Sequence, residues 1–482
     1  MTGTQADGPN RRRPHPDSIA MPGDIAPHVI FVAAAAALGG FLFGYDSAVI
    51  NGAVTGIRDD FGVSTGTTGF IVAAALPGAA VGALISGWLA DRLGRVRVMQ
   101  IGAFLFAVSG IGSMFAFSDV DLTIWRFVGG VAIGIASVVA PAYIAEISPP
   151  SYRGRLASFQ QLAIVLGIAF SAVVNYLIAQ AAGGSNSADL AGLSAWRWML
   201  GAEVVPALVY GAMAFLIPES PRHLIATGRE AEARKVLAEV ENDPTHLDER
   251  VAEIHAAMAG EVRSRPTDLL SHSRSILLPI VWIGIGLSAF QQLVGINVIF
   301  YYSSLLWQQV GIDTSNSLLV SMISSIINIL GTVIAMALVD RIGRKPLLLI
   351  GSTGMFLALA VCAWMFTYVA GTEDDPTMPQ TQGVIALISA NMYVLFFALS
   401  WGVVVWVLLG EMFPSHIRAI ALSVAASAQW LTNWLITVSF PSLSSWSLAG
   451  AYALYALAAL LSIPFVHYLI RETKGRTLES MG

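Results

Sequence analysis

"GWLADRLGRVRV" (Gly87–Val98) and "ALVDRIGRKPLL" (Ala337–Leu348) contain the same string, Asp-Arg-x-Gly-Arg, 249 residues apart. Each closes a long apolar run. A second pair, "EISPPSYR" (Glu146–Arg153) and "EMFPSHIR" (Glu411–Arg418), reads Glu-x-x-Pro-x-x-x-Arg and lies 265 residues apart. Two motifs that recur in the same order, after apolar runs of the same rank, predict a duplicated chain.

The runs between them set the class. Of 482 residues, 55% are hydrophobic and only 12% charged, about half the charged fraction of an ordinary soluble domain. Apolar stretches of about 20 residues, each enough to cross a ~30 Å hydrocarbon core, begin near residues 28, 69, 97, 122, 155, 198, 276, 316, 346, 384, 418 and 446. The expected fold is all-α and membrane-integral, with twelve spans in two pseudo-symmetric halves of six. Parallel repeats of this kind underlie secondary transporters, whose substrate binds near the midplane between halves.

Charge gives the orientation. Arg58 and Arg197 fall in one set of loops, whereas Arg92, Arg95, Arg97, Arg153, Arg155, Arg341, Arg344 and Lys345 fall in the alternate set. The positive-inside bias then predicts that this second set and both termini are cytoplasmic. The expected organisation is a disordered tail over 1–27, a first half over 28–219, a cytoplasmic helical linker over 220–275, a second half over 276–470 and a tail over 471–482. The first apolar run is too long for a signal peptide. The single cysteine, Cys362, allows no intrachain disulfide. No Walker A loop, His-Glu-x-x-His or Gly-x-Ser-x-Gly is present, which argues against an enzyme and against ATP as the energy source. Nothing implies a cofactor, a metal or nucleic acid.

The turn motifs read first as tight basic connections. Their repetition suggests that they act alike, with Arg92, Arg95, Arg153, Arg341, Arg344 and Arg418 pairing with Glu146 and Glu411 across the boundary between halves to hold one transport state shut. A second group is polar and intramembrane. Gln161 lies in span five; Gln291, Gln292 and Asn297 in span seven; Asn328 in span eight; Trp401, Gln429 and Trp430 in spans ten and eleven. Gln291, Gln292 and Asn297 do not fit one narrow helical stripe, so a broken or wide polar face is expected. Amides donate and accept and indoles offer flat apolar faces, a combination suited to a neutral polyhydroxylated ligand. Singly, each amide reads equally well as interhelical glue worth under ~1 kcal/mol.

"FLFGYDSAVING" (Phe41–Gly52) places Asp46 in the middle of span one. A central intramembrane carboxylate is costly and needs a partner. Arg126 in span four is one candidate, and Glu203 in span six is a further acid nearby. If rocking moved Asp46 relative to Arg126, its proton affinity would change with transport state. The alternative is a permanent pair that locks packing.

At these residues the chain resembles the sugar porter branch of the major facilitator superfamily, nearly end to end. "FGYDSAVING", "RFVGGVAIGIASVVAPAYIAEISPPSYRGR", "PESPRHL", "QQLVGINVIFYY", "DRIGRK" and "ETKGRTLE" carry the resemblance. It implies alternating access and uptake of a monosaccharide. Its sugar-binding positions fall on Phe43, Gln161, Gln291, Gln292, Asn297, Asn328, Trp401, Gln429 and Trp430. Its span-one acid, which accompanies proton symport in bacterial members, falls on Asp46. One departure is Val403, where the family has proline after glycine; this restores a backbone donor and removes a proline hinge. The expectation is a monomeric proton–monosaccharide symporter of the cytoplasmic membrane, with glucose first and xylose or galactose as alternatives. The second half mainly holds sugar and the first half handles the proton. The rivals are a facilitative uniporter and a transporter-like sugar sensor.

Overall fold

The computed structural model describes residues 27–148, 153–240, 247–259, 269, 277–371, 376–414 and 417–474. Residues 1–26 of the expected 1–27 tail, residues 475–482 of the expected C-terminal tail and parts of the linker lie outside them. The first half comprises α1 (Pro27–Phe61), α2 (Thr65–Ala73), α3 (Ala75–Leu93), α4 (Arg95–Met114), α5 (Asp119–Ile147), α6 (Arg153–Ala181), α7 (Ala195–Gly201) and α8 (Val204–Leu216). Helices α9 (Pro221–Ala226), α10 (Glu230–Val240) and α11 (Leu247–Ala259) belong to the linker. The second half comprises α12 (Pro279–Leu293), α13 (Ile296–Gln308), α14 (Thr314–Ile342), α15 (Arg344–Phe366), α16 (Gln380–Ala398), α17 (Trp401–Met412) and α18 (Arg418–Leu469). Two-residue antiparallel hairpins, β1 (Asp189–Leu190) with β2 (Leu193–Ser194) and β3 (Ala370–Gly371) with β4 (Pro376–Thr377), decorate the face away from the linker.

Eleven helical stretches among the described residues are long and apolar enough to cross a membrane. The last, Ile420–Leu469, has 50 residues, or about 75 Å, more than twice a ~30 Å hydrocarbon core. Ser447 breaks it with φ −164° and ψ 108°. That residue separates spans eleven and twelve, so the chain makes twelve crossings in two sets of six.

Small residues let the helices meet closely, the usual device where lipid supplies no hydrophobic drive between them. Gly130 and Gly134 of α5 press on the backbone of α3, and Gly44 of α1 presses on Ile164 of α6. In the linker, Leu224, Ile225, Val236 and Leu237 bury their apolar faces in the core of the first half.

Spans six, seven and ten are each interrupted near the middle, at Ala202–Glu203, Val294–Gly295 and Leu399–Ser400. The break in span seven falls between Gln292 and Asn297, which is how one span presents amides that no single helical stripe aligns. In span ten Val403 donates its N–H to Ser400 O at 3.3 Å, so the donor that proline would lack is in use. The helix still breaks, three residues earlier, at Ser400 (φ −134°, ψ −88°). Span ten is thus interrupted without a proline at position 403.

Candidate functional site

Asp46 is fully buried in α1, and the guanidinium of Arg126 from α5 grips it. Arg126 Nη1 donates to Asp46 Oδ1, and Nη2 donates to the Asp46 backbone carbonyl at 3.2 Å. Among the described residues, Asp46 Oδ2 has no donor, and neither Glu203 Oε1 nor Arg126 Nε has a hydrogen-bond partner. Glu203 occupies the break between α7 and α8, buried and within electrostatic reach of both Asp46 and Arg126. Gly129 and Ser109 close the wall beside Oδ2: a Cβ built on Gly129 would lie 2.9 Å from it. The structure brings Asp46, Arg126 and Glu203 together in space. A carboxylate with one oxygen held by arginine and the other free retains a place for a proton.

The amides of span seven form a relay. Asn297 Nδ2 donates to Gln292 Oε1 at 2.6 Å, Gln292 Nε2 to Gln291 Oε1 at 3.4 Å, and Gln291 Nε2 to Trp401 O at 2.9 Å. Asn328 is buried on α14, Gln161 half-buried on α6 and Gln429 half-buried on α18 with its Oε1 unpartnered. Phe43 and Trp430, from opposite halves, meet with ring centroids 6.0 Å apart. Tyr301, also in span seven, is buried close to Ser47 in α1 and Asn433 in α18.

Trp401 differs from the expectation of an open indole face. Its ring is fully enclosed, and its N–H is taken by Ser352 Oγ at 3.0 Å and Leu348 O at 3.3 Å on α15. It is a strut between α17 and α15. Trp406, five residues on and so about 140° round the helix, is 43% exposed and is the accessible indole of span ten.

On the linker face the two turn motifs build the same network twice. Arg95 Nη2 donates to Glu146 Oε1 at 3.0 Å, and Arg344 Nη2 to Glu411 Oε1 at 2.7 Å. Each arginine also bonds a carbonyl of the preceding helix, Ala90 at 3.1 Å and Val339 at 3.2 Å, and pairs with Asp91 or Asp340. A carboxylate that follows the last span of each half then seals the turn. Glu219 accepts from the backbone N–H of Arg95 at 2.9 Å and Val96 at 3.2 Å; Glu472 accepts from Arg344 and Lys345 at 3.0 Å each. The neighbouring hydroxyls, Ser220 and Thr473, donate to Glu146 and Glu411. Partial burial pushes the Glu472 carboxyl up, but N–H donors from Lys474, Arg344, Lys345 and Thr473 outweigh it and hold the group below the usual carboxylate range.

These pairs correct one expectation. They form within each half, whereas the sequence suggests pairing across the boundary. An arginine at the start of α4 or α15 reaches the end of its neighbour in the same bundle first. Arg92 stacks on Trp88 at 4.4 Å, Arg341 is exposed, and Arg418 Nε donates to Phe413 O at 3.1 Å. The side chain of Arg153 lies outside the described residues. Among the described residues, side-chain hydrogen bonds on the opposite face do cross between halves: Asn51 with Ser304 and Ser321, and Gln180 with Ser315.

Glu219, Ser220, Glu472, Thr473, Asn51 and Ser304 are not among the residues that the sequence singles out. A trace exists for the first four, because Glu-Ser and Glu-Thr follow the sixth and twelfth spans at matching places in "PESPRHL" and "ETKGRTLE".

Comparison with known proteins agrees with this architecture. The family described as "Sugar (and other) transporter" matches residues 32–482. The glucose transport protein of Synechocystis sp. is 51% identical over 94% of this chain and 97% of its own length. The D-xylose-proton symporter of Escherichia coli K12 is 36% identical, covering 94% of this chain and 95% of that protein. A solved structure of the Escherichia coli xylose transporter, partially occluded and inward open, superposes with TM-score 0.80 at 34% identity, over 94% of this chain and 100% of that one. The chain is thus a multi-pass membrane protein and a transporter, not an enzyme, and it belongs to the sugar transporter family of the major facilitator superfamily.

Proposed function

We propose that the chain carries a monosaccharide inward across the cytoplasmic membrane together with a proton, by alternating access. The observation that carries this reading is the buried Asp46–Arg126 pair with the second carboxylate oxygen free and Glu203 beside it. A relative with 51% identity is named a glucose transport protein, which makes glucose the first substrate to test; xylose follows from the symporter relatives. The linker face and both termini are cytoplasmic in this reading, from the distribution of basic residues.

The division is then a first half over 28–219, a linker over 220–275 and a second half over 276–470. Phe43, Gln161, Gln291, Gln292, Asn297, Asn328, Gln429 and Trp430 hold the sugar, with Trp401 supporting Gln291 from behind. The hydroxyls of a bound sugar bridge amides of both halves, and such differential contacts are the only way a ligand shifts the balance of states. Protonation of Asp46 loosens its grip on Arg126 and frees α1 to move relative to α5. The linker-face networks, intact here within each half, hold α3, α4 and α5 together, and likewise α14, α15 and α17, while the two halves rock. No cofactor enters, and one chain in the bilayer is the working unit.

The test is sugar-evoked proton movement in sealed proteoliposomes, with wild type beside Asp46→Asn and with glucose, xylose and galactose in turn. Proton entry in wild type, lost in Asp46→Asn while sugar exchange survives, is the expected result. Sugar movement without protons in wild type favours a uniporter. That reading has its own support in a 34% identical relative, the glucose facilitated diffusion protein of Zymomonas mobilis.

A further inference from the structure

A groove on the outer surface of α4 is lined by Leu93, Arg97, Gln100, Ile101 and Phe104. The four residues from α4 stand at i, i+3, i+4 and i+7, one face of the helix. Arg97 is at its polar end, about two residues inside the helix start. Phe104, 66% exposed, is about 10 Å further into the apolar belt. A solvent-facing cation therefore sits directly above an apolar trough on a surface that meets lipid.

The neighbouring charges are already engaged. Arg95 holds Glu146 and Asp91, the Glu219 carboxylate is spent on the α4 backbone, and Arg92 lies over the Trp88 ring. Arg97 has no ion pair among the described residues. Gln100 uses one amide N–H on Ala214 O at 3.2 Å, which fixes its carboxamide and leaves its second N–H beside the groove.

The internal duplication supplies a control. The turn networks match residue for residue between halves, yet the position equivalent to Arg97 is Pro346, and that equivalent to Gln100 is Leu349. The turn, the cap and the helix start form in the second half without either group. Arg97 and Gln100 are therefore surplus to the architecture.

We propose that this groove binds one anionic phospholipid, its phosphate on the Arg97 guanidinium and the Gln100 amide and an acyl chain along Ile101 and Phe104. A guanidinium fork matches two phosphate oxygens at once, and the adjoining apolar wall gives the lipid an advantage over a free anion. The site is independent of what the protein transports.

Native mass spectrometry of the full-length chain, titrated with phosphatidylglycerol or phosphatidylcholine, tests the proposal. Wild type is expected to retain one phosphatidylglycerol and to discriminate against phosphatidylcholine. Arg97→Gln is expected to weaken that retention about fivefold, the usual contribution of one basic side chain at an anionic surface, and Arg97→Lys to fall between. Glycerol 3-phosphate is expected not to compete. Equal retention of both lipids, unchanged retention in Arg97→Gln, or displacement by glycerol 3-phosphate would each overturn the assignment. Unaltered thermal melting of Arg97→Gln in phosphatidylcholine separates lost binding from lost folding.

Discussion

The Oδ1 of Asn51, in the first half, accepts the backbone N–H of Ser304, in the second half, at 2.8 Å. Its Nδ2 donates to Ser321 Oγ at 3.1 Å, and its own carbonyl accepts the Ser304 hydroxyl. One buried asparagine thus ties span one to spans seven and eight on the face away from the linker. Two carboxylate networks keep to their own halves on the other face. Among the described residues, the hydrogen bonds that join the halves on the face away from the linker are neutral, and such bonds break and re-form without exposing a buried charge.

Asn51→Ala removes the side-chain bonds to the Ser304 N–H and to Ser321 Oγ, each worth about 0.5–1.5 kcal/mol, from the state closed on that face. A shift of ~2 kcal/mol changes the ratio of states by about thirtyfold. Spin labels in the 61–64 and 309–312 loops should show longer distances in the variant. Labelling is clean because the single cysteine, Cys362, is buried. An unchanged distance distribution would remove Asn51 from the closing mechanism.

Gly129 tests the proton site from the side. A Cβ there would lie 2.6 Å from Ser109 Oγ and 2.9 Å from Asp46 Oδ2, so Gly129→Ala must push the free carboxylate oxygen or the hydroxyl aside. Overpacking of this kind costs about 1–3 kcal/mol. Uphill sugar uptake should fall by at least about tenfold, the equivalent of ~1.4 kcal/mol in the barrier, while downhill exchange falls less. Gly102→Ala on α4 is the control, because its Cβ would meet only Ile135 Cγ2 at 3.5 Å. Equal losses in uphill and downhill transport would show that the methyl group disturbs packing alone.

Much of this is legible in the chain. The twelve span starts read from hydropathy fall within a few residues of the observed helices, because lipid demands long uninterrupted apolar helices. Spans eleven and twelve run on as one helix apart from Ser447, and no glycine or proline at that residue marks the turn. The nearness of Asp46, Arg126 and Glu203 is also readable, since a buried charge needs a partner and few are available. Trp401 reads as an open face because a tryptophan in a polar span looks alike whether its N–H meets a ligand or Ser352. Glu219 and Glu472 escape notice because their partners are backbone N–H groups, which nearly every residue has. Asn51 escapes for the same reason.

Glu472 also gives a pH dependence. Its folded carboxyl is held below the ordinary value by four backbone donors despite partial burial. A depressed carboxylate contributes stability above its unfolded pKa, about 4.3, and loses it as pH falls through the lower folded value. Thermal melting of wild type in detergent should therefore decline below about pH 4.3. Glu472→Gln should start about 0.5–2 kcal/mol less stable at neutral pH, as for loss of a helix cap, and decline less over the same acid range. Parallel pH profiles for the two proteins would show that the cap carries no ionic contribution.

Gly295 decides whether the amide relay is positioned by backbone geometry. Its φ of +81° and ψ of 22° form the left-handed step between α12 and α13, and a Cβ there would also lie 2.7 Å from the Tyr455 ring. A side chain in that conformation costs about 1–2 kcal/mol, and the ring contact adds to it. Gly295→Ala is therefore expected to straighten span seven, since a continuous helix relieves both strains. Straightening would rotate Asn297, beyond the break, away from Gln292, before it, and part the 2.6 Å hydrogen bond between them. The predicted signature is selective: sugar affinity falls several-fold in equilibrium binding, and Asn297→Ala added to Gly295→Ala costs little more, because the first change has already undone the relay. Additive losses in the double variant would mean that the left-handed step and the relay act independently.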